Sequence, residues 1–411
     1  MKATVQSPLV SCECFLLIVL FLGRVAEASW STKLTTSEQK WRKATIYEIM
    51  PDRFNNPLQN IECQNPNAYC GGTFLGIKGK DAYIKGMNFR SVWLTPFVEN
   101  TLNGYHGYWP LNLYSVNPAF GTEQDFQGLL QKLSTDGLLV MLDMVFNHMG
   151  YGSVYPSFNY YYNPFNQVPD FHDCEGCDPG CSVPGTLPNV MDETTYLKMW
   201  KCELSSLPDL NQNNGTVSQG FVDWLEYVKG KYIIDGFRYD AIPFIYPDFM
   251  SLISNTSEVF GLGEIFLDAG SNGTYQVIDR YLTAGKTLLV SEKVGEKQGT
   301  FSQLDYQYYW AVMECFTPTS DCCEDDAGIG CRQISYVRKR YEEMGLDQKL
   351  MGRFLESADV PRFLAQNNNT IVLQNALALL FFGEGIPISW QGIEQGILII
   401  CGWFVAWRPK N

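Results

Sequence analysis

The chain has 411 residues, of which 45% are hydrophobic and 18% charged, with 10 Trp, 23 Tyr and 25 Phe. This excludes a disordered chain, a coiled coil and a collagen-like polymer, and leaves room for one large α/β barrel or roughly two to three ordinary domains. With 44 acidic against 30 basic residues the formal net charge is −14, a field that repels nucleic acid, while the aromatic excess suits a neutral, hydroxyl-rich ligand whose apolar faces stack on rings.

The N-terminus reads as a secretory signal over residues 1–28. Lys2 precedes the apolar run Phe15–Gly23, and Ala26-Glu27-Ala28 supplies small residues at cleavage spacing. The run is shorter than the ~20 residues of a membrane span, so no stable span is expected. The reading is a secreted or extracellular protein, or one in the lumen of the secretory or endolysosomal route. Four sequons, at Asn214, Asn255, Asn272 and Asn368, agree with that route. Of 13 cysteines, Cys12 and Cys14 fall in the signal. Cys174 and Cys177 are spaced as in a zinc site, but the other spacings are irregular, and behind a signal peptide disulfides are the expected use. The remaining number is odd, which leaves one thiol over, assigned here to Cys401.

Beyond the signal, short apolar β-rich runs alternate with helix-capable segments. The runs cover 44–51, 91–96, 138–145, 234–241, 259–266, a weak one near 302–309, 350–357 and 385–392. Their near-continuous apolar character is that of parallel strands buried on both faces. Helical patterns lie between them, as at Asp125–Ser134 and Val217–Lys231. Eight such strands predict a (β/α)8 TIM barrel. The largest gap, about 146–233, holds Gly, Pro, Asn, Tyr and four Cys and shows no helical periodicity before Val217, so it is assigned as an insertion after strand three. The predicted layout is barrel strands one to three in 29–147, an inserted domain in 148–216, strands four to eight in 217–396 and an atypical apolar tail in 397–411.

Polar residues gather at the C-terminal ends of these runs: Asp143 with Asn147 and His148, Arg238 with Asp240, Glu264, and Glu356 with Asp359. Positions i and i+2 of a strand share a face, so Arg238 and Asp240 point the same way, and a guanidinium there orients the carboxylate and favours its ionised form. A barrel collects such ends around one mouth. Two carboxyls with separated roles, one ionised and one protonated, are what glycosidic cleavage needs. Any one acid taken alone is more simply a helix cap or an ion-pair partner; several strand ends together are not.

The segments WRKATIYEIMPDRF, YCGGTFLGI, YHGYWPLNLYSVN, DMVFNHMGYG, SLPDL, IDGFRYD, GEIF, ESADVPRF and GIPISWQGIEQ occur between Trp41 and Gln395. In this order they resemble the alpha-amylase family of retaining glycoside hydrolases, and most closely its secreted fungal-type members. The resemblance implies roles residue by residue. Asp240 matches the nucleophile, Glu264 the general acid/base and Asp359 the third acid. Arg238 orients the nucleophile, and Arg362 has a supporting structural role. Tyr105, His106, Tyr108 and His148 match positions that bind the sugar. The family's structural metal is Ca2+, for which Asn147, Asp209 and the backbone carbonyl of Phe244 match ligands; the inserted domain's acidic ligand has no counterpart, its matching position being Trp200. Cys63 with Cys70 and Cys174 with Cys202 match disulfides of relatives. His172 has no assigned role. The implied partner is an α-glucan such as starch, glycogen or a maltooligosaccharide, cut internally at α-1,4 bonds by a monomer.

Three departures qualify this. The family's Asn-His-Asp at strand seven reads Ser357-Ala358-Asp359, so a histidine that hydrogen-bonds the sugar is replaced. The Lys-His pair after the nucleophile reads Pro243-Phe244. The last helix and the C-terminal β-sandwich domain are missing, and the apolar closing stretch matches nothing in the family. Two other outcomes therefore stand beside an active amylase: a catalytically impaired relative that binds glucan or protein, and an α-glucosidase or glucosyltransferase.

Overall fold

The computed structural model describes residues 35–58, 63–151, 162–184, 188–267, 271–282, 300–317 and 329–397. The signal assignment, Cys401 and all of the apolar tail except Ile397 lie outside them.

Eight strands close into a barrel: β1 (Ile46–Ile49), β2 (Ser91–Leu94), β3 (Leu139–Met144), β4 (Gly236–Tyr239), β5 (Phe260–Glu264), β6 (Thr300–Leu304), β7 (Gly352–Phe354) and β8 (Ile386–Trp390). Each pairs in parallel with its sequence neighbours, and β8 closes on β1. The predicted (β/α)8 barrel is thus the observed fold. The runs are apolar throughout because helices cover the outer face while the inner face fills the barrel, so no strand face meets water. Trp41 plugs the N-terminal end, its indole donating to the Asp235 carbonyl at 2.9 Å and packing on Phe260.

The predicted helices form with slightly longer ends. Helix α1 (Glu123–Thr135) starts in a capping box in which Thr122 and Asp125 satisfy each other's backbone N–H groups, and buries Phe126, Leu129, Leu130 and Leu133. A second helix, α2 (Glu193–Lys201), lies where the sequence showed no helical periodicity. Its signal was the cap: the Asp192 side chain accepts from Thr195 N–H. Helix α3 (Gly215–Lys231) follows, capped by Asn214.

The sixth run needs a correction. Its strand ends at Leu304, and α4 (Tyr306–Phe316) begins where extended chain was expected. Asp305 makes the switch. Its carboxylate accepts from Tyr308 N–H at 3.1 Å, from the Tyr341 hydroxyl at 2.7 Å and from Arg353 at 3.2 Å. An acid held by three donors at a strand end is a helix cap, and the tyrosines behind it belong to a helix.

The cysteines also depart in part from expectation. Cys63–Cys70 is present, but Cys202 pairs with Cys177, and Cys174 pairs with Cys181. Cys181 adopts a left-handed backbone (φ 64°), which folds the chain back on Cys174 and leaves Cys177 to reach Cys202. Cys174, Cys181 and Glu203 are the one metal-like cluster of such side chains among the described residues, and the two sulfurs are bonded to each other. No helix among the described residues is long and apolar enough to cross a membrane.

Candidate active site

At the C-terminal mouth of the barrel, Arg238 of β4 is the hub. Its guanidinium reaches Asp143 of β3 at 2.9 Å, Asp240 at 2.6 Å and Glu264 of β5 at 2.9 Å, and the arginine is 1% exposed. Asp143 carried no role in the sequence reading. Here it accepts from the Tyr108 hydroxyl at 2.8 Å and the Trp93 indole at 3.1 Å, tying β2, β3 and β4 together. Breaking such a buried pair by removing one partner costs about 3–5 kcal/mol.

The three predicted carboxyls converge. They lie close enough for Asp240 to bear on the charge of Glu264 and for Glu264 to bear on that of Asp359. Glu264 Oε2 accepts from Ala241 N–H at 2.9 Å. Burial pushes Glu264 and Asp240 above their usual range, with Arg238 acting against it on both. Arg238 therefore orients Asp240 as expected, but desolvation outweighs its pull on the proton. Asp359 is raised to about 7, first by burial and then by the charge of Glu264. Its N–H donates to Ser357 Oγ at 3.1 Å. Glu356 instead takes Arg362 at 2.7 Å and caps the next turn through Phe363 N–H, the structural role expected for Arg362.

The Tyr105–Tyr108 turn lies over this mouth. Its reversal depends on Gly107 (φ 95°), where any Cβ would stand 2.3 Å from the Pro96 carbonyl. Arg53 stacks on the Tyr105 ring at 3.9 Å. Tyr105, Met50 and Trp390 form a buried cluster against which Ala358 packs. A methyl group thus occupies the place of the family's histidine, in apolar surroundings and without a polar tip. His106 is held neutral by burial, its pKa lowered to about 3, and its Nδ1 takes the Tyr108 N–H at 3.0 Å. His148 is likewise lowered to about 4 by burial.

Both ring nitrogens of His148 are engaged within the protein. Nε2 meets the Tyr108 carbonyl at 3.0 Å and Nδ1 meets the Asn147 amide nitrogen at 3.3 Å. The carbonyl needs a donor, so Nε2 carries the proton and Nδ1 accepts from Asn147. This turns Asn147 Oδ1 away from the histidine. Asn147 and Asp209 lie on adjacent bridged segments, with Leu210 N–H donating to the Asn147 carbonyl. Asn147 Oδ1 and Asp209 Oδ1 are both buried without a hydrogen-bond partner. Two orphaned oxygens, one on a carboxylate, are the donor chemistry a calcium ion takes. His172 lies here too, its Nδ1 at 2.6 Å from Asp209 Oδ2. Phe244 ends the turn Ile242–Phe244 after the Asp240 strand. Trp200 offers no oxygen: its indole donates to the Tyr281 hydroxyl, and Tyr196, Tyr246 and Arg280 pack on its ring.

The alpha-amylase catalytic-domain profile matches residues 48–401. The chain belongs to the alpha-amylase family. Relatives include an alpha-amylase of Saccharomycopsis fibuligera, 32% identical over 89% of this chain and 68% of that protein, and alpha-amylase 1 of Schwanniomyces occidentalis, 29% identical over 89% and 66%. The chain thus spans about two thirds of their length. Among solved structures, an alpha-amylase from Malbranchea cinnamomea superposes with a TM-score of 0.72 at 25% identity, over 87% of this chain and 70% of that one. The alpha-amylase of Geobacillus thermoleovorans, solved with acarbose, gives 0.67 at 28% identity, over 87% and 72%.

Proposed function

We propose that the protein hydrolyses internal α-1,4-glucosidic bonds of starch, glycogen or maltooligosaccharides with retention at the anomeric carbon. The observation that carries this is the meeting of Asp240, Glu264 and Asp359 from three separate strand ends, with one guanidinium on two of them. A retaining mechanism calls for the two carboxyls ~5–5.5 Å apart, and one guanidinium bound to both holds Asp240 and Glu264 as near neighbours. Asp240, held by Arg238, attacks the anomeric carbon and forms a glycosyl ester. Glu264 protonates the departing oxygen, then removes a proton from the water that cleaves the ester. Asp359 binds sugar hydroxyls and favours the flattened, oxocarbenium-like ring. Tyr105, expected to touch the sugar, is 1% exposed with Arg53 on its ring, so it braces the turn from beneath while His106 and Tyr108 line the mouth. His148 serves through the bonds it makes to Tyr108 and Asn147.

Asn147, Asp209 and the Phe244 carbonyl would hold calcium, with His172 bracing Asp209. When bound, the ion supplies a structural tie between β3 and the inserted segment, not a chemical step. A secreted route is supported by the disulfides of that segment.

The test is hydrolysis of a soluble maltooligosaccharide by purified protein, with Asp240→Asn as control. Equal background rates for both sink the proposal. The Ala358 packing favours a second reading, a relative that binds glucan without cutting it, because a sugar hydroxyl at that point loses its hydrogen-bond partner. Binding of maltoheptaose with no turnover is its signature. Products separate the remaining alternatives: a ladder of oligomers means endo cleavage, glucose alone an α-glucosidase, and longer chains a glucosyltransferase.

A further inference from the structure

The side chain of Glu48, on β1, points into the barrel. Its register partners are Trp93 of β2 and Trp390 of β8, and residues paired across parallel strands share a face of the sheet. Trp93 shows which face: its indole donates to Asp143 inside the mouth at 3.1 Å. Two residues on from Glu48, Met50 joins Trp390 and Tyr105 in the buried cluster on which Ala358 packs. The Glu48 carboxyl thus lies one layer below the Ala358 edge, and Asp359 is the acid whose charge acts on it most. Glu48 is 1% exposed, and its Oε2 is buried without a hydrogen-bond partner.

A carboxyl this deep normally holds an ion partner or a set of donors. The guanidiniums that bear on it are committed elsewhere: Arg238 to Asp143, Asp240 and Glu264, and Arg362 to Glu356. The hydroxyls and indole around the mouth are committed too. Trp93 and Tyr108 bind Asp143, and the Tyr306 hydroxyl lies 3.3 Å from Glu264 Oε1 and 3.3 Å from Asp359 Oδ2. An unfilled buried carboxyl lowers the stability of the fold, so its presence beside the acid trio points to a bond made by something that enters. A sugar ring presents hydroxyls there, each both donor and acceptor. A hydroxyl donates to a carboxylate and accepts from a carboxylic acid, so the bond forms wherever the Glu48 proton sits. The strand-seven edge offers such a hydroxyl little, because Ala358 ends in a methyl group and Ser357 Oγ takes the Asp359 N–H.

We propose that Glu48 is a substrate-specificity residue whose carboxyl binds a hydroxyl of the sugar held at Asp359, the contact that Ala358 does not make. The inference rests on the reading of this mouth as a glucan site. It places stability and recognition in opposition at one side chain. In the free protein the carboxyl is a buried polar group without a partner; in the complex the sugar fills it. A sugar lacking that hydroxyl leaves the carboxyl unfilled in the complex as well, and a site with a buried polar group unpaired rejects the analogue.

The experiment compares wild type with Glu48→Met and Glu48→Leu, which keep an apolar stem, and with Glu48→Gln, which keeps a donor and an acceptor. All are made in the full chain. The substrates are a maltooligosaccharide and a set of analogues, each lacking one hydroxyl on the sugar at the cleavage point. The expected result is a fall in kcat/KM of about 100-fold for E48M and E48L on the parent substrate, with E48Q much closer to wild type. One deoxy analogue should be cut poorly by wild type, yet as well as the parent by E48M and E48L, the mark of a lost pairwise contact. Without substrate, E48M or E48L should melt no lower than wild type. Variants that discriminate every analogue as wild type does overturn the proposal, whatever their overall rate. So does a melt lowered in both, which would show the carboxyl filled by a structural bond. A wild type that cuts no glucan rejects the hydrolase reading instead, and Glu48 is then judged by calorimetry with maltoheptaose. Binding about 100-fold weaker in E48M supports the contact, and equal binding rejects it.

Discussion

Asp359 is the residue at which stability and function pull apart. Its folded pKa of about 7 stands above the usual aspartate value of 3.8 because burial and the Glu264 charge penalise the anion. A group raised on folding binds more protons in the folded than in the unfolded state. Its contribution is therefore fully present below about 3.8 and lost as pH rises through about 7. Asp359→Asn removes that dependence. The variant should gain melting temperature over wild type at pH 8 and gain less, or nothing, at pH 4, as read by calorimetry at both pH values. A constant difference would mean Asp359 is not held neutral by its surroundings. For Glu264→Gln the expectation is kinetic: kcat on a maltooligosaccharide falls by at least ~10²-fold, since a general acid typically contributes ~10²–10⁴-fold. These acids were visible in the linear chain because each ends an apolar run. Tyr306 was not, because nothing local to it marks the hydroxyl as lying between two carboxyls from other strands.

At the scale of elements, the inserted segment shows how capping and cross-links replace hydrophobic periodicity. Helix α2 has nine residues and one polar cap, and its end at Cys202 is pinned to Cys177 across a separation of 25 residues. Replacing both cysteines by alanine should destabilise the fold by ~2–4 kcal/mol, the usual yield of closing a loop of this order, and denaturant unfolding measures it. Removal of Cys174 and Cys181, which close a separation of only 7 residues, should cost less. The pair proposed to hold calcium belongs to the same element. Asn147 follows β3 and Asp209 lies on the segment bridged to it, so an ion between them would join the two. A chelator should lower the melting temperature of wild type, because an ion bound only by the folded state stabilises it by linkage. Asp209→Ala should abolish that response. A melt indifferent to chelator would count against calcium at Asn147 and Asp209. The Trp200 ring stack leaves the site one carboxylate poorer than the family pattern, so the ion should leave at modest chelator concentrations.

For the whole molecule, the barrel acts as the device that turns sequence distance into proximity. Asp143, Arg238, Asp240, Glu264, Tyr306 and Asp359 come from five successive strand ends, yet all share bonds within one mouth. Arg238 links three of those acids, so Arg238→Leu should leave Asp143, Asp240 and Glu264 as uncompensated buried carboxylates. The expected outcome is a loss of ~3–5 kcal/mol or failure to fold, measured by denaturant titration. Full retention of stability would show that the hub is not where the barrel stores its electrostatic balance.

The barrel and the position of its acids are legible in the order of residues alone. Strands buried on both faces must be apolar without interruption, and that requirement is local enough to read from one run at a time. It also carried the ordered motifs that give the family. Tertiary structure alone decided the contacts: which cysteine reaches which, that His148 serves Asn147 rather than standing free, that Asp305 ends a strand and starts a helix, and that Tyr306 spans Glu264 and Asp359. The reason is physical. A hydrogen bond or disulfide is a condition on distance between groups far apart along the chain, and no periodicity within a segment encodes the place where two segments will meet.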